Sequence, residues 1–143
     1  MLLDQAPDIE PARLPRRGLL DTLKRSHTLD DQSFTAVGYG LVRNVKTGGS
    51  HGFSPAGGVR RYALQEALSL RENWLLLSMN PSTGNAGTCY GDSGGPHFLG
   101  GVQSDLVVSI TITGDAMCRA TDKTYRLDSA SARAFLDDFV PLP

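Results

Sequence analysis

The stretch Gly91-Asp92-Ser93-Gly94-Gly95-Pro96 is the most informative part of the sequence. A given six-residue string with three glycines occurs by chance in a chain of this length about 10⁻⁵ to 10⁻⁴ of the time. A serine hydroxyl attacks a carbonyl group well only when it is held in a fixed position with a base beside it. Glycine at position 91 lets the chain turn so that its N–H and that of Ser93 can point to the same side, where a developing oxyanion needs two donors. The stretch therefore predicts a nucleophilic serine, Ser93, in a tight glycine turn.

The residues around this turn indicate an all-β chain. The 16 glycines and 8 prolines are spread widely and the apolar runs are short, which is typical of short strands joined by turns. Residues 107–113 are β-branched and form the clearest strand. Residues 34–41 predict a strand with glycines where the backbone is approached closely. Residues 60–77 fit either one helix or two strands with a break at 71–73.

The two ends of the chain differ from this β pattern. Residues 5–17 hold three prolines and predict an extended connector. Residues 18–29 carry leucines at helical spacing and predict a short helix or turn. Near the end, Asp128 or Ser129 is expected to cap a helix that runs to about Val140. Its apolar face, expected to pack on the core, consists of Ala132, Phe135, Leu136, Phe139 and Val140.

Length and composition exclude several classes of protein. The 143 residues suit one domain. With 14 basic and 15 acidic residues, the charge gives no reason to expect nucleic acid or an anionic membrane as a partner. The longest apolar run, residues 74–77, is far too short to span a bilayer. Two cysteines alone make neither a disulfide scaffold nor a zinc site, and no Gly-Lys-Ser/Thr follows the glycine-rich loops. We expect no metal and no cofactor.

The stretch at 91–96 resembles the nucleophile motif of the trypsin/chymotrypsin family of serine proteases. The likeness extends to residues 34–40, which are similar to the strand that opens the family's second barrel. Residues 107–118 are similar to the strand and loop lining the specificity pocket, and residues 125–140 to the last strand and closing helix. The resemblance implies the second six-stranded antiparallel barrel of the chymotrypsin-like fold with a C-terminal helix. Residues 1–17 would be the inter-barrel connector and residues 18–143 the C-terminal barrel.

The resemblance also implies roles for single residues. Ser93 would be the nucleophile, and the N–H groups of Gly91 and Ser93 would form the oxyanion hole. Asp92 would be the structural carboxylate that, in the family, pairs with the amino terminus released by activation. Cys89 and Cys118 match the disulfide that joins the two walls of the specificity pocket, although two reduced core thiols are the alternative.

Four further residues match positions that bind substrate. Gly87 falls at the pocket floor and Gly114 where the substrate backbone pairs with the enzyme. Ile112 stands where the family usually has Ser, and Thr113 where it usually has an aromatic residue. An uncharged floor implies small or apolar substrate side chains. Asp122, expected in a loop at 119–125, is the one residue that could turn inward and attract a cation.

The family's catalytic His and Asp have no counterpart in this sequence. We interpret His27, His51 and His97 as ordinary surface histidines. The resemblance thus implies a serine endopeptidase acting on peptides or proteins, here a truncated chain that is inactive alone and lacks its N-terminal barrel. About 100 further residues are expected to be encoded upstream. No signal peptide is visible, so the localisation stays open, and secretion is implied by resemblance only. The alternatives are a non-catalytic binding module and a half-enzyme completed by another chain.

Overall fold

A computed structural model describes residues 4, 5, 7–43 and 53–143 of the chain. Eight strands and two α-helices are formed by these residues. The strands are β1 (Ser33–Gly38), β2 (Val42–Arg43), β3 (Phe53–Ser54), β4 (Arg61–Leu70), β5 (Trp74–Ser78), β6 (Pro96–Leu99), β7 (Val107–Gly114) and β8 (Thr121–Arg126). The helices are α1 (Leu19–Arg25) and α2 (Ala130–Leu136), and a short 3₁₀ turn spans Pro81–Thr83.

Six of the strands form a closed barrel in the order β1-β4-β5-β8-β7-β6, and β2 pairs separately with β3. Every pairing in the barrel is antiparallel. The predicted architecture, a six-stranded antiparallel barrel followed by a C-terminal helix, is confirmed. Closure leaves no unpaired barrel edge, which antiparallel sheets otherwise have to protect.

Residues 60–77 form two strands, the second of the alternatives that the sequence left open. Tyr62, Leu64 and Leu68 on one face of β4 are exposed, whereas Gln65 on the other face is buried. Alternation with a period of two residues buries one face of a strand but not one face of a helix. Residues 61–70 therefore form a strand despite their helix-forming composition. The backbone turns back at 71–73, where the N–H of Arg71 donates to the carbonyl of Trp74 at 2.8 Å.

The apolar core fills the barrel near helix α1. It consists of Leu20, Leu29, Phe34, Leu70, Leu75, Leu77 and Val108. The short helix expected within residues 18–29 is confirmed, and its Leu20 is fully buried. The leucines of this helix therefore pack against the barrel core and do not form a surface for a ligand.

A buried arginine fastens α1 to the barrel. Arg126 on β8 is 1% exposed and donates to Asp128 at 2.9 and 3.0 Å and to Asp21 of α1 at 2.7 and 3.2 Å. Asp128 in turn accepts the N–H of Leu20 at 2.8 Å. Burial lowers the pKa of Arg126, but the hydrogen bonds and charges of Asp128 and Asp21 outweigh it and hold that pKa above its ordinary value. The buried charge is therefore fully paired, as stability requires.

Two expectations about the C-terminal region are wrong. Helix α2 ends at Leu136, not near Val140, and Ser129 is its N-cap. Of its expected packed face only Ala132 is buried, whereas Phe135 and Phe139 are 65% and 59% exposed. The two rings contact each other instead of the barrel, with centroids 5.1 Å apart.

Candidate active site

Residues 91–95, which we call the nucleophile turn after the predicted role of Ser93, connect the disulfide-bonded loop to β6. Gly91 and Gly94 have φ angles of 96° and 81°, which an L side chain rarely adopts. The N–H of Gly94 donates to the carbonyl of Thr111 on β7 at 2.8 Å, and that of Gly95 to the carbonyl of Asp92 at 2.9 Å. The turn is thereby anchored to the barrel while Ser93 stays exposed at its tip.

Two backbone donors of this turn are available to a ligand. Within the part of the chain that the structure describes, neither the N–H of Gly91 nor that of Ser93 donates to a protein acceptor. Both residues are exposed to solvent. Since exposed N–H groups without a protein partner are free to bind an incoming oxygen, these two are the donors that an oxyanion hole would need.

The side chain of Asp92 anchors the turn through hydrogen bonds to backbone N–H groups. Its carboxylate accepts the N–H of Gly40 at 2.7 Å and the N–H of Cys89 at 2.9 Å. A Cβ atom added at Gly38 or Gly40 would overlap this carboxylate. The close approach that the sequence predicts for residues 34–41 is therefore real, and the group that approaches is the Asp92 carboxylate. Its position requires glycine on both sides of Tyr39.

A disulfide joins the nucleophile loop to the hairpin between β7 and β8. Cys89 and Cys118 are bonded, with their Cα atoms 5.3 Å apart, so the alternative of two reduced thiols is excluded. Asp115 organises the hairpin by accepting backbone N–H groups from Met117, Arg119, Ala120 and Thr121. Burial raises the pKa of Asp115, but these four donors lower it by more, and the net shift is downward.

A cavity of about 460 Å³ lies next to the turn. Gly87, Thr88, Cys89, Asp92 and Cys118 belong to its wall. A side chain at Gly87 would collide with Met79 and Gln65. Glycine at position 87 is therefore required by close packing against these two buried residues, neither of which lines the cavity.

The substrate-binding candidates on β7 lie at its end. Ile112 is 41% exposed, and the strand register shifts between Thr111 and Thr113. Gly114 leaves room for the carbonyl of Thr121, which a Cβ atom would meet at 2.8 Å. Because Thr111 accepts the N–H of Gly94, this segment begins directly beside the nucleophile turn.

The expectation for His97 is wrong, because this histidine is completely buried. Its Nε2 lies 3.1 Å from Oδ2 of Asp122, which is also completely buried. The same oxygen accepts from Thr88 Oγ1 at 2.7 Å and from Gln65 Nε2 at 3.1 Å. A carboxylate only accepts, so Nε2 of His97 is the donor.

The placement of Asp122 also differs from expectation. It lies on strand β8 rather than in a loop at 119–125, and it does not line the cavity. Burial raises the pKa of Asp122, but hydrogen bonds from His97, Thr88 and Gln65 together with the charge interaction with His97 lower it by more, so the pKa lies below its ordinary value. Because Asp122 is completely buried and lies outside the cavity wall, it is not available to attract a substrate cation.

No described residue supplies a base to Ser93. Among the described residues, no histidine or carboxylate is hydrogen-bonded to its hydroxyl. His27 is exposed just beyond α1, and His97 faces the barrel interior. His51, the remaining candidate, lies outside the described residues. The geometry thus brings together the serine, two N–H donors, the Asp92 support and the disulfide.

Sequence reasoning missed two groups of residues at this end of the barrel. The first is the buried set of Asp122 and its partners. The second is a group of arginines, Arg43, Arg61 and Arg119, that line the cavity. No pattern in the sequence indicates either group, because residues 121–126 have no hydrophobic side and the three arginines lie on separate segments.

A scan against protein-family models and a search of curated proteins found no match to this chain. Within residues 4–5, 7–43 and 53–143, no group of three or more His, Cys, Asp or Glu side chains is placed to hold a metal ion. Neither helix of this described part is long and apolar enough to cross a membrane. The geometry of the nucleophile turn is therefore the main indication of function in this chain.

Proposed function

We propose that this chain is the nucleophile-bearing barrel of a chymotrypsin-like serine endopeptidase. The observation that carries the proposal is the exposed Ser93 on a glycine turn whose Asp92 is held by two backbone N–H groups. A simple surface turn has no need of a carboxylate inserted between two glycines. Support of this kind fixes the backbone beside Ser93, and a fixed position of the nucleophile is a condition for nucleophilic catalysis.

The proposed chemistry is acyl transfer. Ser93 Oγ attacks the carbonyl carbon of a peptide bond, and its proton passes to a base. The N–H groups of Gly91 and Ser93 stabilise the oxyanion of the tetrahedral intermediate. The same proton then goes to the leaving amine, and water releases the acyl group from Ser93. The base has to come from His51 or from another polypeptide segment.

The proposal assigns the cavity wall at Gly87 to the recognition of a substrate side chain. Among the residues that the structure describes, Asp92 is the one acidic side chain that lines this cavity, and Asp122 is buried outside it. The oxygens of Asp92, the carboxylate that lines the cavity, are engaged by two backbone N–H groups. We therefore do not expect cleavage after Arg or Lys.

An exposed apolar row favours the half-enzyme alternative over an isolated barrel. Tyr62, Leu64 and Leu68 point outward from β4 and are 64%, 43% and 54% exposed. Exposed apolar side chains grouped on one strand face, here with the exposed Glu66 between Leu64 and Leu68, are a feature of interaction surfaces. A second barrel carrying His and Asp is the partner that the proposed chemistry requires.

Covalent labelling of Ser93 tests the proposal. The full chain is incubated with an alkyl fluorophosphonate and imidazole, which serves as the external base. Ser93 Oγ forms a bond to phosphorus, fluoride leaves, and the proton goes to imidazole. Mass spectrometry should locate one added phosphonyl group on Ser93. Ser93→Ala should lose it, and Ser82→Ala, which removes another exposed loop serine, should keep it. Equal labelling of Ser82 and Ser93 would contradict the proposal.

A further inference from the structure

One oxygen atom of a buried carboxylate receives hydrogen bonds from three separate segments of the chain. Oδ2 of Asp122 accepts from Thr88 Oγ1 at 2.7 Å and from His97 Nε2 at 3.1 Å. Gln65 Nε2 donates to the same oxygen at 3.1 Å. The other oxygen, Oδ1, is buried and accepts no hydrogen bond within the part of the chain that the structure describes. The described hydrogen bonds of this side chain therefore converge on a single atom.

Two of these three donors lie on either side of the nucleophile turn. Thr88 precedes the turn and adjoins the disulfide-bonded Cys89, and His97 follows the turn on β6. Asp122 lies on β8, which is hydrogen-bonded to β5 and β7 in the barrel wall. Both ends of residues 88–97, the segment that contains Ser93, are thus tied to one atom of the barrel.

Burial makes these bonds strong and protects them from water. Thr88 is 8% exposed, and His97 and Asp122 are completely buried. A hydrogen bond to a charged acceptor is about twice as strong as one between neutral groups, and loss of a donor would leave part of the buried carboxylate unpaired. The free energy of these bonds therefore keeps both donors on Oδ2 and limits how far positions 88 and 97 can move apart.

The other contacts around Ser93 act at different places. The N–H of Gly94 donates to the carbonyl of Thr111, and the carboxylate of Asp92 accepts two backbone N–H groups. These contacts anchor the turn itself, whereas Thr88 and His97 anchor the segments that enter and leave it. A side chain at the tip of a turn is held precisely only when the segments that carry the turn are also held.

We propose that Asp122 is a positioning residue for Ser93, which acts by holding Thr88 and His97 on one oxygen atom. Asp122 is buried outside the cavity wall and works through these two donors. It keeps the ends of residues 88–97 in place, so that the Ser93 hydroxyl stays aligned with the N–H donors of the turn. The reactive role of Ser93 rests on the proposed function, whereas the ordering of the turn by Asp122 can be measured without any reaction.

Two pairs of variants test this role by fluorophosphonate labelling of Ser93 in the presence of imidazole. Thr88→Val keeps the shape of the side chain and loses the hydroxyl, whereas Thr88→Ser keeps the hydroxyl. His97→Leu loses the ring donor, and His97→Gln keeps an N–H donor at the end of its side chain. We expect Thr88→Val and His97→Leu to be labelled roughly tenfold more slowly, because a displaced nucleophile loses its alignment. Thr88→Ser and His97→Gln should restore most of the rate.

A control variant and a second measurement separate local ordering from overall stability. Thr124→Val removes another buried hydroxyl from β8, one that donates to the carbonyl of Leu75 at 2.9 Å, and should leave the labelling rate unchanged. Amide hydrogen exchange of Gly95, whose N–H is hydrogen-bonded within the turn, reports on the turn, and that of Leu20 in α1 reports on the fold. Thr88→Val should accelerate exchange at Gly95 roughly tenfold relative to Leu20, the size expected for one lost hydrogen bond to a charged group, and Thr124→Val should not.

Three results would overturn the inference. One is an equal labelling rate and equal relative exchange at Gly95 in Thr88→Val and Thr124→Val, with the folding of both checked by circular dichroism. Another is a Thr88→Ser variant as slow as Thr88→Val, because the effect would then come from packing and not from the hydrogen bond. The third needs no variant: we expect long-range ¹H–¹⁵N spectra of the parent chain to show a proton on Nε2 of His97, and an Nε2 without a proton would contradict the proposal. If the parent chain is not labelled at Ser93, the proposed function fails, and the exchange at Gly95 and the His97 spectrum still decide whether Asp122 orders the turn.

Discussion

Two glycines and one carboxylate set the position of Ser93. Asp92 occupies the space that side chains at positions 38 and 40 would fill. We therefore expect Gly40→Ala to displace the turn, to cost roughly 1–3 kcal/mol of stability and to slow fluorophosphonate labelling of Ser93. The measurements are a urea denaturation curve and the labelling rate. Gly101→Ala is the matched control, because nothing lies within 4 Å of the added Cβ atom. Equal labelling rates in the two variants would show that Asp92 does not position Ser93.

The second residue-scale prediction concerns the buried Asp122. Its pKa is lowered from the ordinary value of 3.8, so the folded state favours the ionised carboxylate. The stability gained from this ionisation is fully present above the unfolded pKa and is lost as the pH falls through the lower folded value. Asp122→Ala should therefore cost about 3–5 kcal/mol at pH 7, a difference that shrinks below about pH 4.

Urea denaturation between pH 3 and pH 7 measures this difference. Asp138→Ala is the control, since it removes an exposed carboxylate and should leave the midpoint nearly unchanged at every pH. A cost for Asp122→Ala that stays constant with pH would mean that ionisation of Asp122 does not contribute to folding.

At the scale of elements, the Cys89–Cys118 disulfide holds the nucleophile loop against the β7–β8 hairpin. The bond joins residues separated by 29 positions, for which the chain-entropy treatment gives about 3–4 kcal/mol of stabilisation. Adding a reductant should therefore lower the urea midpoint of the parent chain. In the double variant Cys89→Ser/Cys118→Ser the midpoint should already be low and should not respond to reductant. A parent chain insensitive to reductant would refute this account of the loop.

The sequence predicts the elements whose hydrophobic pattern agrees with their burial. Strand β7 is rich in β-branched residues, and α1 has leucines at helical spacing, so both are predictable. Strand β8 is not, because its inward positions Asp122, Thr124 and Arg126 are all polar. When neither side of an alternating pattern is hydrophobic, the sequence does not indicate a buried strand face. For this reason the sequence does not predict that Asp122 lies in a buried strand.

The candidate site also has a part that the sequence predicts and a part that it does not. The nucleophile turn is local in sequence, so its glycines and serine can be recognised directly. The buried His97–Asp122 pair and the arginine-lined cavity join segments that are far apart in the chain. Their proximity follows from the strand order of the barrel, which a single sequence does not determine.

At the scale of the whole molecule, the proposal requires a second component for catalysis. Members of a catalytic triad act as a unit, and loss of the histidine costs about a million-fold in rate. We therefore expect the purified 143-residue chain to show no hydrolysis of fluorogenic peptides above background. Turnover that disappears in Ser93→Ala would contradict this and direct the search for a base to His51. Turnover that persists in Ser93→Ala would indicate a contaminating protease.

Titration of the full chain with a peptide boronic acid tests the central claim most directly. Trigonal boron accepts Ser93 Oγ, the hydroxyl proton passes to the buffer, and the product is a tetrahedral boronate resembling the proposed intermediate. We expect an upfield ¹¹B signal of tetrahedral boron together with shifts of the Gly91 and Ser93 amide protons in ¹⁵N spectra. Ser93→Ala should abolish both signals, and Ser82→Ala should retain them. A boron signal that remains trigonal at saturating boronic acid, with the Gly91 and Ser93 amides unmoved, would show that this turn is not a nucleophile site.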